Sequence, residues 1–449
     1  MGKKIFTPHI ISLSFLVLII LGSLLLSLPI SSANGVAVSY LDALFTSTTS
    51  VCVTGLVTLP IATTWSLFGK IVIFFLIQIG GLGVITLSSY IGILLHQKFS
   101  LSENLLLKNS LNLESLSGIR QFVNKIVIGS LLIEIVGSIG YMIVFIPQYG
   151  LAGIWYSVFN SVSAFCNAGI DILGPNSLCE YINNPTINII TMLLIIVGGI
   201  GFIVWIDVYN VLKKIKNYKF KWYKYLSLQS KIVIITTFIL ILIGAIFFFL
   251  FEYDNFLTLG NLSLSDKIMA SLFQSVTTRT AGFATLPQEN FRNSSCLVSF
   301  VLMFIGGSPI GTAGGIKTVT FFILIVSAYS VLRGKEEISV FNRHINKVYL
   351  LKAITIFFAS GITLFVFTIL LSLSVDTDFI NILYETVSAT GTVGLSRNLT
   401  GSLNELGKII IICNMFFGRI GPISLMTSFL VKRKSEKNIR NPKESIIVG

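Results

Sequence analysis

The sequence predicts an all-α polytopic membrane protein. Its eight transmembrane helices fall in four tandem helix–re-entrant pore loop–helix repeats, set with pseudo-fourfold symmetry around a central pore. Three observations carry this. Of 449 residues, 53% are hydrophobic and 11% charged, with a mean hydropathy of +0.86, too little polar surface for a soluble chain of this length. Basic residues crowd into alternate loops. Two short glycine-bearing series each recur four times, in one order and one phase.

Apolar runs of about 20 residues recur along the chain, long enough to cross a hydrocarbon layer of about 30 Å. The formal charge of +13 would suggest nucleic acid in a soluble protein, but its distribution argues otherwise. Of the 32 Lys and Arg, 24 lie at the N-terminus (Lys3, Lys4), in 96–125, 207–231 and 333–352, and in the tail from Lys432. The loops 31–65 and 147–186 have none. This is the positive-inside pattern of a multi-pass protein of the cell membrane, with both termini and three long linkers cytoplasmic. Segment 10–30 lacks a small-residue cleavage site and reads as a retained helix. Five scattered cysteines, with no pair at metal-ligand spacing, read as free thiols.

The first series is FTSTTSVCVTG (45–55), FNSVSAFCNAG (159–169), FQSVTTRTAG (273–282) and YETVSATGTVG (384–394). Its closing glycines, Gly55, Gly169, Gly282 and Gly394, are 114, 113 and 112 residues apart, and the third stretch is one residue shorter. The second series, 24 to 29 residues downstream, is IQIGGLGVITL (77–87), IVGGIGFIVW (196–205), FIGGSPIGTA (304–313) and FFGRIGPISL (416–425). Such self-similarity marks a repeat architecture. The repeats are 1–95, 96–212, 213–333 and 334–432, followed by a tail at 433–449. First helices are expected at 10–30, 124–146, 230–251 and 348–372. Second helices are expected at 66–95, 187–212, 295–332 and 405–431. Segments such as 154–165 and 266–278 are too short to span and are expected to re-enter the membrane.

Two spans per unit return the chain to its starting side, so all four repeats share one orientation around an axis along the membrane normal. Inverted repeats of secondary transporters need an odd number of spans. Irregular backbone at membrane depth is tolerated where it lines a watery path, and rings of backbone carbonyls can replace the hydration shell of K⁺. The candidate ion-binding residues are Val51, Cys52, Val53, Thr54 and Gly55; Phe165, Cys166, Asn167, Ala168 and Gly169; Thr278, Thr280, Ala281 and Gly282; and Thr390, Gly391, Thr392, Val393 and Gly394. The only metal expected there is K⁺, at the backbone carbonyls. No Asp or Glu stands among them, as a divalent-cation filter would require. Ser and Thr of the short helices (Thr46 to Ser50, Ser161, Ser163, Thr277, Thr278, Ser388) can brace the loops. Arg279 is expected to point behind its loop, toward a partner such as an acid on a neighbouring helix.

The third second-helix is abnormal. Gly306, Gly307, Ser308, Pro309, Gly311, Thr312, Gly314 and Gly315 crowd one transmembrane segment and favour an unwound stretch. The glycines 80, 81, 83, 198, 199 and 201 read instead as small-residue helix packing. Arg419 is an intramembrane cation at a position where the other repeats carry small residues, and Lys317 joins it as a candidate of the same region.

These residues resemble the Trk/Ktr/HKT superfamily of potassium transporters, closest to the KtrB branch. The resemblance covers residues 5–432 and is most specific at SVCVTGL, SAFCNAGI, TTRTAGF and IGGSPIGTAGGIKT. It implies that each loop supplies a quarter of a selectivity filter, with Gly55, Gly169, Gly282 and Gly394 lining the pore. Only the glycine is common to all four loops, which implies a looser filter than the TVGYG of tetrameric channels. The TrkH branch carries an extra helix pair in front that this chain lacks. The resemblance further implies that 306–315 is an intramembrane gate. Near it, Arg419 either forms an electrostatic barrier or bonds carbonyls freed by the unwound stretch.

By the same resemblance, a separate KtrA-like nucleotide-binding ring docks on the cytoplasmic face, and the membrane subunit is a homodimer. The weakly amphipathic linker 98–118 reads by itself as solvated or membrane-surface. No covalent cofactor is expected; K⁺ is the transported ion, and Na⁺ a candidate activating or co-transported one. The rival reading is a secondary transporter of Na⁺ or a small solute, for which Glu134, Glu385 and Asp207 are the obvious intramembrane carboxylates. An enzyme is not expected, because His9, His96 and His344 all lie near membrane ends and no nucleophile or metal-ligand set accompanies them.

Overall fold

Four long apolar helices, Thr7–Leu26, Ile119–Tyr149, Leu228–Glu252 and Lys347–Ser374, form the outer wall of the computed structural model. The structure describes residues 7–96, 104–105, 107–108, 118–213, 223–335 and 337–421. The outer helices turn one face to hydrocarbon. Leu132, Val136, Ile139 and Ile143, at helical spacing, are all more than half exposed. Their inner faces carry small and hydroxylic residues such as Gly137, Ser130 and Thr363, and the hydroxyls of the last two return to the carbonyl one turn back.

Each outer helix is followed by a short re-entrant helix: Tyr40–Cys52, Ala152–Cys166, Leu264–Thr277 and Phe379–Gly391. The first and third open with a Ser-x-x-Asp box. Ser39 and Ser263 accept from the N–H of Asp42 and Asp266, and donate to their carboxylates at 2.7 and 2.6 Å. The second helices begin with Ser66, Asn184 and Asn404 as N-caps in repeats one, two and four.

The second helices depart from the continuous spans expected from hydropathy. In repeat one, Leu67–Leu82 and Val84–Leu94 meet at 96°; in repeat two, Pro185–Gly199 and Phe202–Lys213 meet at 98°. Gly83 and Gly201 sit at these corners with φ of 88° and 95°, a conformation that a side chain disfavours. They are therefore hinge glycines rather than helix-packing ones. In repeat three, Asn293–Phe304 and Thr318–Leu332 are separated by irregular chain, the break expected from its glycines and proline. In repeat four, Glu405–Ile420 ends at Gly421, φ 89°, the last described residue. The expected linker 98–118 and tail 433–449 lie almost wholly outside the described residues. The linker 333–352 holds a small antiparallel hairpin, Ile338–Val340 with Arg343–Ile345, which an all-α expectation did not include.

The repeats close cyclically. The first half of each second helix packs on the re-entrant helix of the next repeat, and Glu405–Ile420 packs on Tyr40–Cys52 to complete the circle. At that seam Lys408 Nζ lies 2.6 Å from Asp42 Oδ1, with the side chains 18% and 13% exposed. Removing one partner strands the other in a largely covered setting, so Lys408→Met is expected to cost about 1–3 kcal/mol. The double variant Asp42→Leu/Lys408→Met should regain most of that. Thermal unfolding in detergent, followed by gel filtration, checks both, and equal losses in the single and double variants would refute the pairing.

Candidate ion-conducting site

The re-entrant helices deliver four extended loops to one place. Two residues before each closing glycine the backbone is left-handed: φ is 55° at Val53, 57° at Asn167, 71° at Thr280 and 49° at Thr392. Three of these are β-branched, for which this region is costly, so the surroundings must hold it. The glycines follow at φ 99°, 64°, 82° and 97°. A Cβ built on Gly55 would lie 2.6 Å from the Ala168 carbonyl oxygen, one on Gly169 2.6 Å from that of Ala281, and one on Gly282 2.5 Å from that of Val393. One on Gly394 would overlap the Thr54 carbonyl oxygen. The four glycines thus form a closed ring in chain order, each against the carbonyl preceding the next. The re-entrant helices direct their C-terminal ends, with partial negative charge, at this ring.

Hydroxyls brace the loops. Thr49 Oγ1 accepts from Gly55 N–H at 2.9 Å, Ser163 Oγ from Ile170 N–H at 3.1 Å, and Ser388 Oγ from Gly394 N–H at 3.0 Å. Each lies six residues before its glycine. In the third loop Thr277, five before, donates to the Phe283 carbonyl at 2.6 Å. The backbone shows the same shortening: Thr54, Ala168 and Val393 donate five residues back, and Ala281 only four. The one-residue deletion seen in the sequence is absorbed in the turn Thr278–Arg279, while the left-handed residue and glycine keep their register.

Not every candidate faces the ring. The carbonyls of Val51, Phe165 and Thr390, four before the glycine, abut Gly80, Gly198 and Gly418 of the second helices, where a Cβ would overlap them. Gly391 faces the Met303 carbonyl, with a Cβ there at 2.6 Å. Thr278 Oγ1 donates to Ser275 O at 3.0 Å. Cys52 and Cys166 close their helices as buried free thiols. Cys166 Sγ lies 3.6 Å from Gln78 Oε1, and Gln78 Nε2 donates to both carboxylate oxygens of buried Glu134 at 3.1 Å.

Beneath the ring, residues 305–317 cross from repeat to repeat. The corner at Gly201 frees the carbonyls of Gly198 and Gly199, which accept from Thr312 N–H at 3.2 Å and Ser308 N–H at 2.9 Å. Phe202 N–H donates to Ile310 O at 2.8 Å. Thr312 Oγ1 donates to Phe165 O at 3.0 Å, and Gly314 N–H to Thr280 Oγ1 at 3.2 Å, so this stretch touches the loops of repeats two and three directly. Arg419 supplies the link to repeat one. Its Nη1 donates to Thr312 O at 2.5 Å and its Nη2 to Gly80 O at 2.6 Å and Gly81 O at 3.4 Å. Lys317 Nζ donates to Ala313 O at 2.7 Å and Gly314 O at 3.4 Å. Gly306, Gly307 and Gly311 lie where a Cβ would meet neighbouring backbone or Ala313.

Arg279 does point behind its loop, but its partners are carbonyls rather than an acid: Gly306 O at 3.0 Å and Thr237 O at 3.5 Å. An unwound stretch offers carbonyls that helical hydrogen bonding would have consumed, which removes the need for a carboxylate. The three candidate intramembrane acids are all engaged: Glu134 by Gln78, Glu385 by the hydroxyls of Ser396 and Thr400, and Asp207 by Ser227 N–H. One residue the sequence reading passed over is Arg397, in the loop beyond Gly394. It donates to Asn381 Oδ1 at 2.9 Å and to the carbonyls of Gln288 and Glu289 at 2.9 and 2.8 Å, tying repeat four to repeat three. Its only signal was a lone cation in a polar connection.

The family model described as TrkH, cation transport protein, matches residues 9–441. The Ktr system potassium uptake protein B of Bacillus subtilis (strain 168) is 39% identical over 443 residues, covering 98% of this chain and 96% of its own. The potassium/sodium uptake protein NtpJ of Enterococcus hirae is 37% identical over 455 residues, covering 100% and 98%. Among solved structures, the potassium transporter TrkH from Vibrio parahaemolyticus superposes with a TM-score of 0.75 at 18% identity, over 96% of this chain and 86% of that one. The ring, the crossing stretch beneath it and the full-length match agree: this multi-pass membrane chain belongs to the TrkH family of cation transport proteins.

Proposed function

We propose that this chain takes up K⁺ across the plasma membrane, through a selectivity filter made by the glycine ring and gated by residues 305–317. The observation that carries the reading is the cyclic contact of Gly55, Gly169, Gly282 and Gly394, each against the carbonyl before the next glycine. Carbonyl dipoles without carboxylates suit a dehydrated monovalent cation. Relatives named for potassium uptake over nearly the whole chain support the same ion. A second reading, uptake of both K⁺ and Na⁺, is favoured by the relative named for potassium and sodium. Na⁺ as activator or co-transported ion belongs with it.

The gate reading rests on the hydrogen bonds that hold 305–317 under the ring, with Arg419 and Lys317 as its cationic anchors. Both termini are cytoplasmic in this reading, from the positive-inside pattern. A soluble nucleotide-binding ring docks on that face, in keeping with relatives named as components of a Ktr system, and two copies of the membrane subunit pair.

Flux into liposomes of the purified chain tests the proposal, comparing K⁺ with Na⁺. Wild type should favour K⁺. A variant with 306–315 rebuilt as a continuous Ala/Leu helix should change its rate strongly while keeping the ion preference. An unchanged rate would remove the gate, and equal K⁺ and Na⁺ flux would favour the second reading.

A further inference from the structure

A cavity of about 600 Å³ opens beside the break in the third second-helix, bounded by the fourth outer helix Lys347–Ser374 and floored by Thr390 and Gly391. Its walls are largely apolar, through Phe304, Ile316, Leu351 and Ile356, yet two ammonium groups, Lys317 and Lys352, also line it. Among the described residues neither is paired with a carboxylate. Lys317 has two carbonyls of the crossing stretch as partners, and Lys352 lies 5.9 Å from the Tyr349 ring. The size is that of a ligand site, and its chemistry is that of an anionic head on an apolar body.

Position narrows the ligand to a lipid. Lys352 is five residues into its helix, near the end of the span, where long basic side chains reach headgroups. Further along the same helix Phe358, Ile362 and Phe365 are 63%, 55% and 67% exposed, so hydrocarbon adjoins the cavity. The chain's own tail is a poor occupant. Its six Lys and Arg, against two Glu, all lie at 432–443, and that basic stretch repels two lysines.

We propose that this cavity binds an anionic phospholipid, its phosphate between Lys317 and Lys352 and an acyl chain along the apolar wall, and that the bound lipid loosens the gate. The coupling runs through Lys317, which holds the carbonyls of Ala313 and Gly314. A phosphate drawing that ammonium toward the cavity weakens its grip on the crossing stretch. The binding site stands on the cavity alone, and the coupling rests on the gate reading above.

Lipid retention and flux are read separately on the full chain. Native mass spectrometry with phosphatidylglycerol or phosphatidylcholine compares wild type with Lys352→Gln, with Thr355→Trp, which fills the cavity, and with Arg343→Gln, which removes an exposed charge elsewhere. Wild type and Arg343→Gln should retain phosphatidylglycerol. The two cavity variants should each lose about tenfold in apparent affinity, Lys352→Gln through one charge-assisted contact and Thr355→Trp through the space it fills. Retention of phosphatidylcholine as strong as that of phosphatidylglycerol, or unaltered retention in both cavity variants, overturns the site. Binding of a second copy of the chain in place of lipid overturns it too.

In liposomes, a larger phosphatidylglycerol fraction should raise K⁺ flux several-fold in wild type and leave both cavity variants flat. Millimolar inorganic phosphate in phosphatidylcholine vesicles should not reproduce the gain; if it does, the site takes a free anion and the lipid proposal falls. Selective retention with flux indifferent to lipid supports the site and overturns the coupling.

Discussion

Gly282→Ala is expected to cut K⁺ flux at least about tenfold and to erase most of the preference for K⁺ over Na⁺. The added Cβ would lie 2.5 Å from the Val393 carbonyl oxygen and 3.0 Å from Gly169 Cα, both backbone atoms that cannot swing aside. The site must also bear an alanine at φ 82°, which costs about 1–2 kcal/mol by itself. Relief comes only by moving a neighbouring loop outward, and with it a carbonyl that, in the proposed filter, replaces hydration water. A matched control separates strain from clash. Gly35 has φ 68° with nothing within 4 Å of a built Cβ, so Gly35→Ala carries the strain without the collision. Liposome flux of both ions should be normal in Gly35→Ala and defective in Gly282→Ala. Equal defects would mean that the ring contact is not what matters.

Arg419→Gln is expected to raise K⁺ flux several-fold while leaving the K⁺ to Na⁺ ratio intact. Arg419 binds Thr312 of the crossing stretch with one nitrogen and Gly80 and Gly81 of repeat one with the other, so its planar fork ties the stretch to repeat one beneath the ring. It also holds a positive charge below the ring. Losing the clamp leaves three carbonyls to find other donors, at about 1–3 kcal/mol for any that stays unpaired. On the gate reading proposed above, that cost falls on the closed arrangement and favours release. The glycine ring is untouched, hence the preserved ratio. Arg419→Lys separates the two contributions, since it keeps the charge and lacks the fork. Flux near that of Arg419→Gln would assign the effect to the clamp, and flux near wild type to the charge. A fall in flux in Arg419→Gln would sink the gate role altogether.

Both expectations trace to features with different visibility in the sequence. The ring was legible because its requirement is local: a glycine at positive φ after a Ser/Thr-rich short helix leaves the same trace four times. Even the shortened third stretch was readable, and the structure places the missing residue between Thr277 and Thr280. The unwinding of 306–315 was also legible, since Pro309 and its flanking glycines disfavour helix wherever they lie, and the structure extends it to 305–317. The corners at Gly83 and Gly201 were not. Both half-helices are apolar and each glycine is also an ordinary packing residue, so hydropathy runs through the corner unbroken.

The sequence by itself determined the membrane class, the four repeats, the positions of the four glycines and the weak point in the third second-helix. Tertiary structure decided who satisfies whom. Arg279 found the Gly306 carbonyl of its own repeat rather than an acid, and Arg419, besides the Thr312 carbonyl of the unwound stretch, found Gly80 of repeat one, an acceptor that no linear pattern announces. Lys408 found Asp42 at a distance of 366 residues only because the ring closes there. Local backbone preference is written residue by residue. A hydrogen bond between repeats depends on which acceptors the folded neighbours leave unused, and that is settled only when all four are in place.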